Sequence, residues 1–410
     1  MNYIFIDSKE EIEKVGLVEK DKLVEFYMEE REDKKTLGNI YRGRVERVIK
    51  GMDAAFVDIG EEKNSYLHLK QALSKDQMYK NKKHSIDDVL KEGQEVIVQI
   101  RKEASQDKGA RVTSHVELKG RYIVLTPYSK QINISKKIYK TSEIERLKAI
   151  ARETISDDIG LIIRSAAEDA DSKDIRDEYQ VLLEIYRKIQ REKNFLPCPK
   201  LIYSEPDLGY QVIRDLYNDS IERILVNDKS YYNYLLTMDE TYPFKFASKL
   251  VLDEDFSIDR DQKLYKDIRT SLERRVDLKS GSYLIIDQLE AFTVIDVNTG
   301  SFTGARSLKD TVMQTNIEAA REIARQIRLR DIGGIILIDF IDMRSKRDET
   351  KLISMFKSYI KEDRNKTNFI DISKLGIAEI TRSKRRKSNI SRYYSICPEC
   401  KGTGKIFIDF

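Results

Sequence analysis

Two aspartates are the residues best placed to do chemistry. Asp296 follows the apolar run Phe292-Thr293-Val294-Ile295, and Asp339 follows Ile335-Ile336-Leu337-Ile338. A carboxylate at the end of an apolar strand costs desolvation unless it gains a compensating partner. Two such strands could set two like charges at one edge of a sheet, where they repel unless a cation bridges them or one is protonated. Mg²⁺ suits a site of one or two carboxylates completed by phosphate and water. Such an ion can polarise a phosphate and activate water without any histidine. The plainer alternative is that both aspartates cap strands or helices at the surface. Only His68, His84 and His115 are present, none in a metal-ligand spacing or beside a nucleophile. Histidine general-base or Cys/His chemistry therefore has little to work with.

The elements that must position the pair follow from the surrounding pattern. Tyr283–Asp287 and Phe292–Asp296 read as two arms of a hairpin. After a loop containing Gly304 and Arg306, Ser307-Leu308-Lys309-Asp310 has the form of a capping box. The helix that follows places Ile317, Ala320, Ala324 and Ile327 on one face. Glycine is expected to end it at Asp331-Ile332-Gly333-Gly334. Ile335–Ile338 is a continuous apolar run of the kind buried on both faces of a sheet.

Upstream the pattern changes twice. Residues 1–35 suggest a short strand followed by a charged helical stretch. From Thr36 to about His115, short alternating strands separated by glycines suit a five-stranded barrel of the OB type. From Gly120 to about Ser204 the strands 121–125 and 160–164 flank a helix near 141–156, and a long charged helix covers about 174–193. Pro197 and Pro199 mark a boundary. Residues 210–272 hold helices and short strands expected to pair back with the first strand.

The 410 residues carry 74 Lys+Arg against 70 Asp+Glu, so a net charge of +4 is too small to diagnose nucleic-acid binding by itself. The start, Met1–Asp7, lacks the basic and apolar regions of a secretory signal, and no run approaches the length of a membrane span. Three cysteines argue against a disulfide framework and fit a reducing cytoplasm.

Four further clusters carry possible chemistry. Arg164 and Ser165 end an apolar strand, where a guanidinium beside a hydroxyl matches a terminal phosphate; a surface salt bridge is the alternative. Phe56 and Tyr66 lie in adjacent strand-like segments interleaved with Arg42, Arg44 and Arg47. Aromatic faces there would stack on unpaired bases while cations track phosphates, although Phe56 could simply be core. Arg382-Ser383-Lys384-Arg385-Arg386-Lys387, with Arg392 beyond, is a phosphate-contact patch or a solvated basic loop. Cys397 and Cys400 form half of a tetrahedral thiolate site. Two chains sharing one zinc is the economical completion, and a redox pair is the alternative.

Asp296-Val297-Asn298, the segment Ala324–Gly334, Ile338–Met343 and Cys397–Gly404 together resemble the ribonuclease E/G family; Ala54–Asp58 is similar to that family's RNA-binding barrel. The resemblance implies an α+β, α/β multidomain chain. An RNase H-like subdomain (1–35 and 210–272) would be split around an OB-fold domain (36–117) and a 5′-phosphate sensor (118–209). A DNase I-like catalytic domain (273–391) and a zinc link (392–410) would follow. It further implies Mg²⁺ on Asp296 and Asp339, Asn298 orienting Asp296, and a 5′-monophosphate pocket of Arg164, Ser165, Gly120 and Val124. Ser165 stands where the family often has threonine. Lys108 would reach the substrate beside Phe56 and Tyr66, and Zn²⁺ on Cys397 and Cys400 would join a homodimer. The implied activity is cleavage of single-stranded RNA to 5′-phosphate and 3′-hydroxyl ends; the alternative is a non-catalytic RNA-binding protein or chaperone. Family members commonly continue into a small domain that pairs dimers into tetramers.

Overall fold

A computed structural model describes residues 1–30, 36–74, 84–104, 107–155, 159–192, 195, 197–300, 308–343, 345–383, 393–395, 397–400, 402 and 404. The capping-box serine Ser307, Gly304, Arg306 and the basic residues 384–387 and 392 lie outside the described residues. The chain divides into two compact units. Met1–Arg31, Asn218–Tyr232 and Lys249–Phe410 form one, and Glu32–Tyr217 with Asn233–Ser248 form the other.

Among the described residues the first unit contains two sheets. One has the order Leu250–Leu252, Arg223–Val226, Tyr3–Asp7, Ile12–Glu19, Lys22–Glu30. The first strand runs parallel to Arg223–Val226, so the distant segment does pair back with the N-terminus. The charged helical stretch expected within 1–35 is instead a hairpin of two long strands. Lys20 and Asp21, both at positive φ, make its two-residue turn. Val15, Leu17, Val18, Leu23, Phe26 and Met28 are buried along it. Glu25, on the second of these strands, is fully buried and paired with Arg328 at 2.7 Å.

The second sheet has the order Arg275–Asp277, Tyr283–Gln288, Phe292–Asn298, Gly334–Asp339, Ile377–Arg382, Thr367–Ile372. Helix Leu308–Leu329 connects the parallel strands Phe292–Asn298 and Gly334–Asp339. One face of the sheet gives Leu284, Ile286, Ile295, Ile336, Ile338 and Ile380 to a core that also takes Ala320, Ile323, Ala324 and Ile327 from this helix. Leu352 and Phe356 of helix Lys346–Ile360 complete it. The opposite face is open. Ile335 is 50% and Phe292 37% exposed, so the Ile335–Ile338 run is covered on one face rather than two. The Leu308–Leu329 helix is followed by a left-handed residue, but this is Asp331 (φ 49°) and not a glycine. Ile332 N–H closes back onto the Ile327 carbonyl at 3.1 Å.

In the second unit, Ile40–Ile49, Ala54–Asp58, Ser65–His68, Arg111–Thr113 and Glu95–Lys102 form a barrel closed by pairing of its first and last members. Val45, Ala55, Val57, Leu67, Val98, Ile100 and Val112 fill it. A smaller sheet holds Ile132–Ile134, Gly160–Ile163, Ile123–Thr126 and Leu118–Lys119. Helix Ser172–Glu192 accompanies it and buries Ile175, Tyr179, Leu182 and Leu183 on one side. No helix among the described residues is long and apolar enough to cross a membrane.

Candidate functional site

Asp296 and Asp339 stand directly opposite each other on neighbouring parallel strands. That register puts their backbones one strand spacing apart, about 4.8 Å. Both side chains are exposed on the open face of the sheet. Asn298, two residues along and therefore on the same face, donates from Nδ2 to Asp296 Oδ2 at 2.8 Å. Partial burial, then the charges of Asp296 and Asp342, push the Asp339 carboxyl up from its ordinary range. No ion pair reaches Asp296 or Asp339 among the described residues. Two uncompensated carboxylates side by side are oxygen donors of the kind a hard divalent cation takes when phosphate and water complete its shell.

A residue that sequence reasoning missed holds this end of the sheet. Asn316, fully buried in helix Leu308–Leu329, donates to the Ile341 carbonyl at 2.8 Å and accepts from the Ile341 N–H at 3.0 Å. The double bond fixes the backbone between Asp339 and Asp342. An amide on the apolar side of a helix was the available signal, because a buried polar group needs partners.

In the small sheet of the second unit, Arg164 and Ser165 follow strand Gly160–Ile163. The Arg164 guanidinium gives one N–H to Asp215 at 2.7 Å and another to the Gly120 carbonyl. Two of its five donors are committed, which orients the rest. The salt bridge weighed as an alternative is therefore present, and it positions the guanidinium without consuming it. Ser165 is exposed, and Val124 lies beside Ile162 in the ladder. Gly120 is buried against Glu178, whose carboxylate accepts N–H bonds from Arg121, Tyr122 and Ile123. A Cβ at Gly120 would lie 2.3 Å from that carboxylate, so only glycine fits.

On the barrel, Phe56 and Tyr66 are direct cross-strand partners, neither fully buried, with ring centroids 6.1 Å apart in an edge-to-face arrangement. Arg111, not singled out from the sequence, places its guanidinium 5.7 Å from the Tyr66 ring centre. A cavity of about 620 Å³ beside it is lined by Tyr66, Lys70, Arg101, Lys102, Arg111 and Tyr128, among others. Lys108 is exposed at the entry to the Arg111 strand. The adjoining Gly109 lets that chain pass the Asn64 carbonyl, which a Cβ would meet at 2.0 Å. Arg47 is exposed and Arg44 is 46% exposed in a loose pair with Glu95. Arg42 departs from expectation: it is buried, bound to Glu95 and to the Phe195 carbonyl, and faces no solvent that RNA could occupy.

Arg382, first of the supposed basic patch, is also buried. It is bound to Asp331 and Asp363, each at 2.7 Å, and serves the fold. Cys397 is exposed, and Cys400 partly so, and neither is in a disulfide. Backbone N–H groups of Cys400 and Glu399 turn towards the Cys397 sulfur and lower its pKa. Such a turn suits a metal-bound thiolate. Two thiolates are half of a zinc donor set, and no cluster of three or more metal-ligating side chains occurs among the described residues.

Comparison with known proteins identifies the family. Residues 34–114 match the S1 RNA binding domain, and residues 117–385 match the Ribonuclease E/G family. The chain is 36% identical to Ribonuclease G of Haemophilus influenzae over 405 residues, 96% of this chain and 82% of that protein. It is 36% identical to Ribonuclease G of Escherichia coli K12 over 406 residues, with the same coverage. It is 35% identical to Ribonuclease E of Synechocystis over 378 residues, 90% of this chain and 55% of that protein. The chain belongs to the ribonuclease E/G family.

Proposed function

We propose that the chain is an endoribonuclease that hydrolyses single-stranded RNA with Mg²⁺ held between Asp296 and Asp339. The family and its ribonuclease-named relatives support a hydrolase acting on RNA. The observation that carries the metal assignment is the register of Asp296 against Asp339, two like charges with no protein cation beside them among the described residues. Bound there, Mg²⁺ would polarise the scissile phosphate and activate water. The chain's own work is to hold the two carboxylates in register. Asn298 orients Asp296 through its amide, and Asn316 fixes the backbone beyond Asp339. The products would carry 5′-phosphate and 3′-hydroxyl ends.

The barrel, with Phe56, Tyr66 and exposed Lys108, would hold unpaired bases and phosphates. Arg164, Ser165 and the backbone at Gly120 and Val124 would receive a 5′-monophosphate. The two-sheet unit would take in the DNase I-like part (273–391) and most of the RNase H-like part (1–35, 210–272), of which 32–35, 210–217 and 233–248 group with the other unit, and the sensor would span 118–209. Cys397 and Cys400 would join two chains through Zn²⁺ into a homodimer, in the cytoplasm.

The deciding experiment is cleavage of a short 5′-monophosphorylated single-stranded RNA with Mg²⁺, with EDTA, and by Asp296→Asn. Cutting only by the intact site with Mg²⁺ is expected. Equal cutting by Asp296→Asn would remove the metal assignment. RNA binding with no cutting under any condition would leave a binder or chaperone.

A further inference from the structure

The open face of the catalytic sheet carries a second built feature beside the carboxylates. Arg275 lies opposite Ile285, Ile285 opposite Asp296, and Asp296 opposite Asp339, one row across four strands. The neighbouring row is Asp277, Tyr283 and Asn298. Residues in register share a face, so Arg275, Asp277 and Tyr283 stand on the carboxylates' side of the sheet. Arg275 is two strand spacings, about 10 Å, from Asp296.

The guanidinium of Arg275 sits 3.9 Å from the Tyr283 ring centre, within stacking contact. Its Nε and Nη2 both reach Asp277 Oδ1 at 2.8 Å. The ring supports one face of the guanidinium while the carboxylate holds its edge, and the side chain remains 57% exposed. A planar cation fixed in this way is a ready platform for an unpaired base, since bases stack on arginine planes as they do on aromatic rings. Exposed Phe292 lies further along the same face.

We infer that Arg275, backed by Tyr283 and aligned by Asp277, stacks on the base of a nucleotide next to the scissile phosphate. This rests on the nuclease reading of Asp296 and Asp339. It assigns a positioning surface on the catalytic sheet itself, separate from the barrel and the 5′ pocket.

Single-stranded RNA oligonucleotides carrying 2-aminopurine at successive positions, bound in EDTA so that nothing is cut, test it. Stacking quenches this base's fluorescence. One position is expected to be quenched by the intact chain and released by Arg275→Lys, which keeps the charge but loses the plane. Tyr283→Ala should release it too, whereas Tyr283→Phe keeps it. With Mg²⁺, Arg275→Lys should raise KM roughly tenfold, and an abasic nucleotide at that position should raise it equally in the intact chain and not further in the variant. Unchanged quenching at every position in Arg275→Lys overturns the platform. Independent, multiplying effects of variant and abasic site do the same. Normal quenching without any Mg²⁺-dependent cleavage would instead overturn the nuclease reading.

Discussion

The sheet that bears Asp296 and Asp339 is flanked by a second pair of aspartates with the opposite fate. Asp331 and Asp363 are buried, and Arg382 lies between them at 2.7 Å from each. Burial alone would raise the Asp363 carboxyl, yet Arg382 and Thr367 hold it below the ordinary range. Asp296 and Asp339 face solvent, adjoin each other, and have no such arginine among the described residues; Asp339 is pushed up. Carboxylates that stabilise a fold come with their counter-charge built in. Carboxylates left in like-charged company without one are configured for a cation from solution.

The sharpest break of this comparison comes from neutralising one member of each pair. Asp339→Asn should cost at least roughly ten-thousandfold in Mg²⁺-dependent cleavage, about 5.5 kcal/mol of transition-state stabilisation. The same change removes repulsion with Asp296, so thermal unfolding in EDTA should be unchanged or slightly later. A large loss of stability would show that Asp339 serves the fold, as Asp363 does.

Arg382→Ala should do the reverse. It leaves two buried carboxylates uncompensated and should cost about 3–5 kcal/mol of stability, read by denaturant unfolding. The cluster also sets an acid limit. Asp363 titrates lower in the folded chain than when unfolded, so its contribution is complete above the unfolded carboxylate pKa. It is lost as pH falls through the depressed folded value. Intact protein should therefore lose stability below about pH 4, and Arg382→Ala should lose less over that window.

These contrasts also show what the sequence could reveal. Apolar strands each ending in aspartate, joined by an amphipathic helix, suggested that Asp296 and Asp339 could meet but left surface caps as an alternative, and the parallel register is what sets them opposite each other. The alternating barrel strands were legible for the same reason of periodicity. Arg382 was not, since it opens a run of cations and only the register opposite Gly334 reveals that it is buried. The N-terminal hairpin was missed because its turn is Lys20-Asp21, without glycine or asparagine. The open side of Ile335–Ile338 was missed because an apolar run does not say how many faces are covered. The Asn316 clamp reaches across 25 positions; an amide on an apolar helix face signals that it needs a partner but not which one.

Asn298 offers a finer division within the exposed pair. Its amide donates to Asp296 without joining the carboxylate set. Asn298→Ala should leave stability near normal and lower cleavage roughly 10–100-fold, the usual cost of losing a partner that orients a metal ligand. More Mg²⁺ should restore part of the rate if weakened metal binding is the cause. No response to Mg²⁺ concentration would place the role of Asn298 on the substrate rather than on Asp296.

The smallest effect separates the two pairs without any assay of cleavage. A cation that binds only the folded chain stabilises it by mass action, about 1.4 kcal/mol at ten times its dissociation constant. Thermal unfolding of the intact chain at rising Mg²⁺ should show that gain, and Asp296→Asn should not. A milder lesion at the buried cluster, Asp363→Asn, should lower the starting stability yet keep the full increment, because Arg382 already occupies the place a cation would take there. An equal Mg²⁺ increment in Asp296→Asn and the intact chain would mean the ion binds elsewhere, and the contrast between the two aspartate pairs would lose its functional meaning.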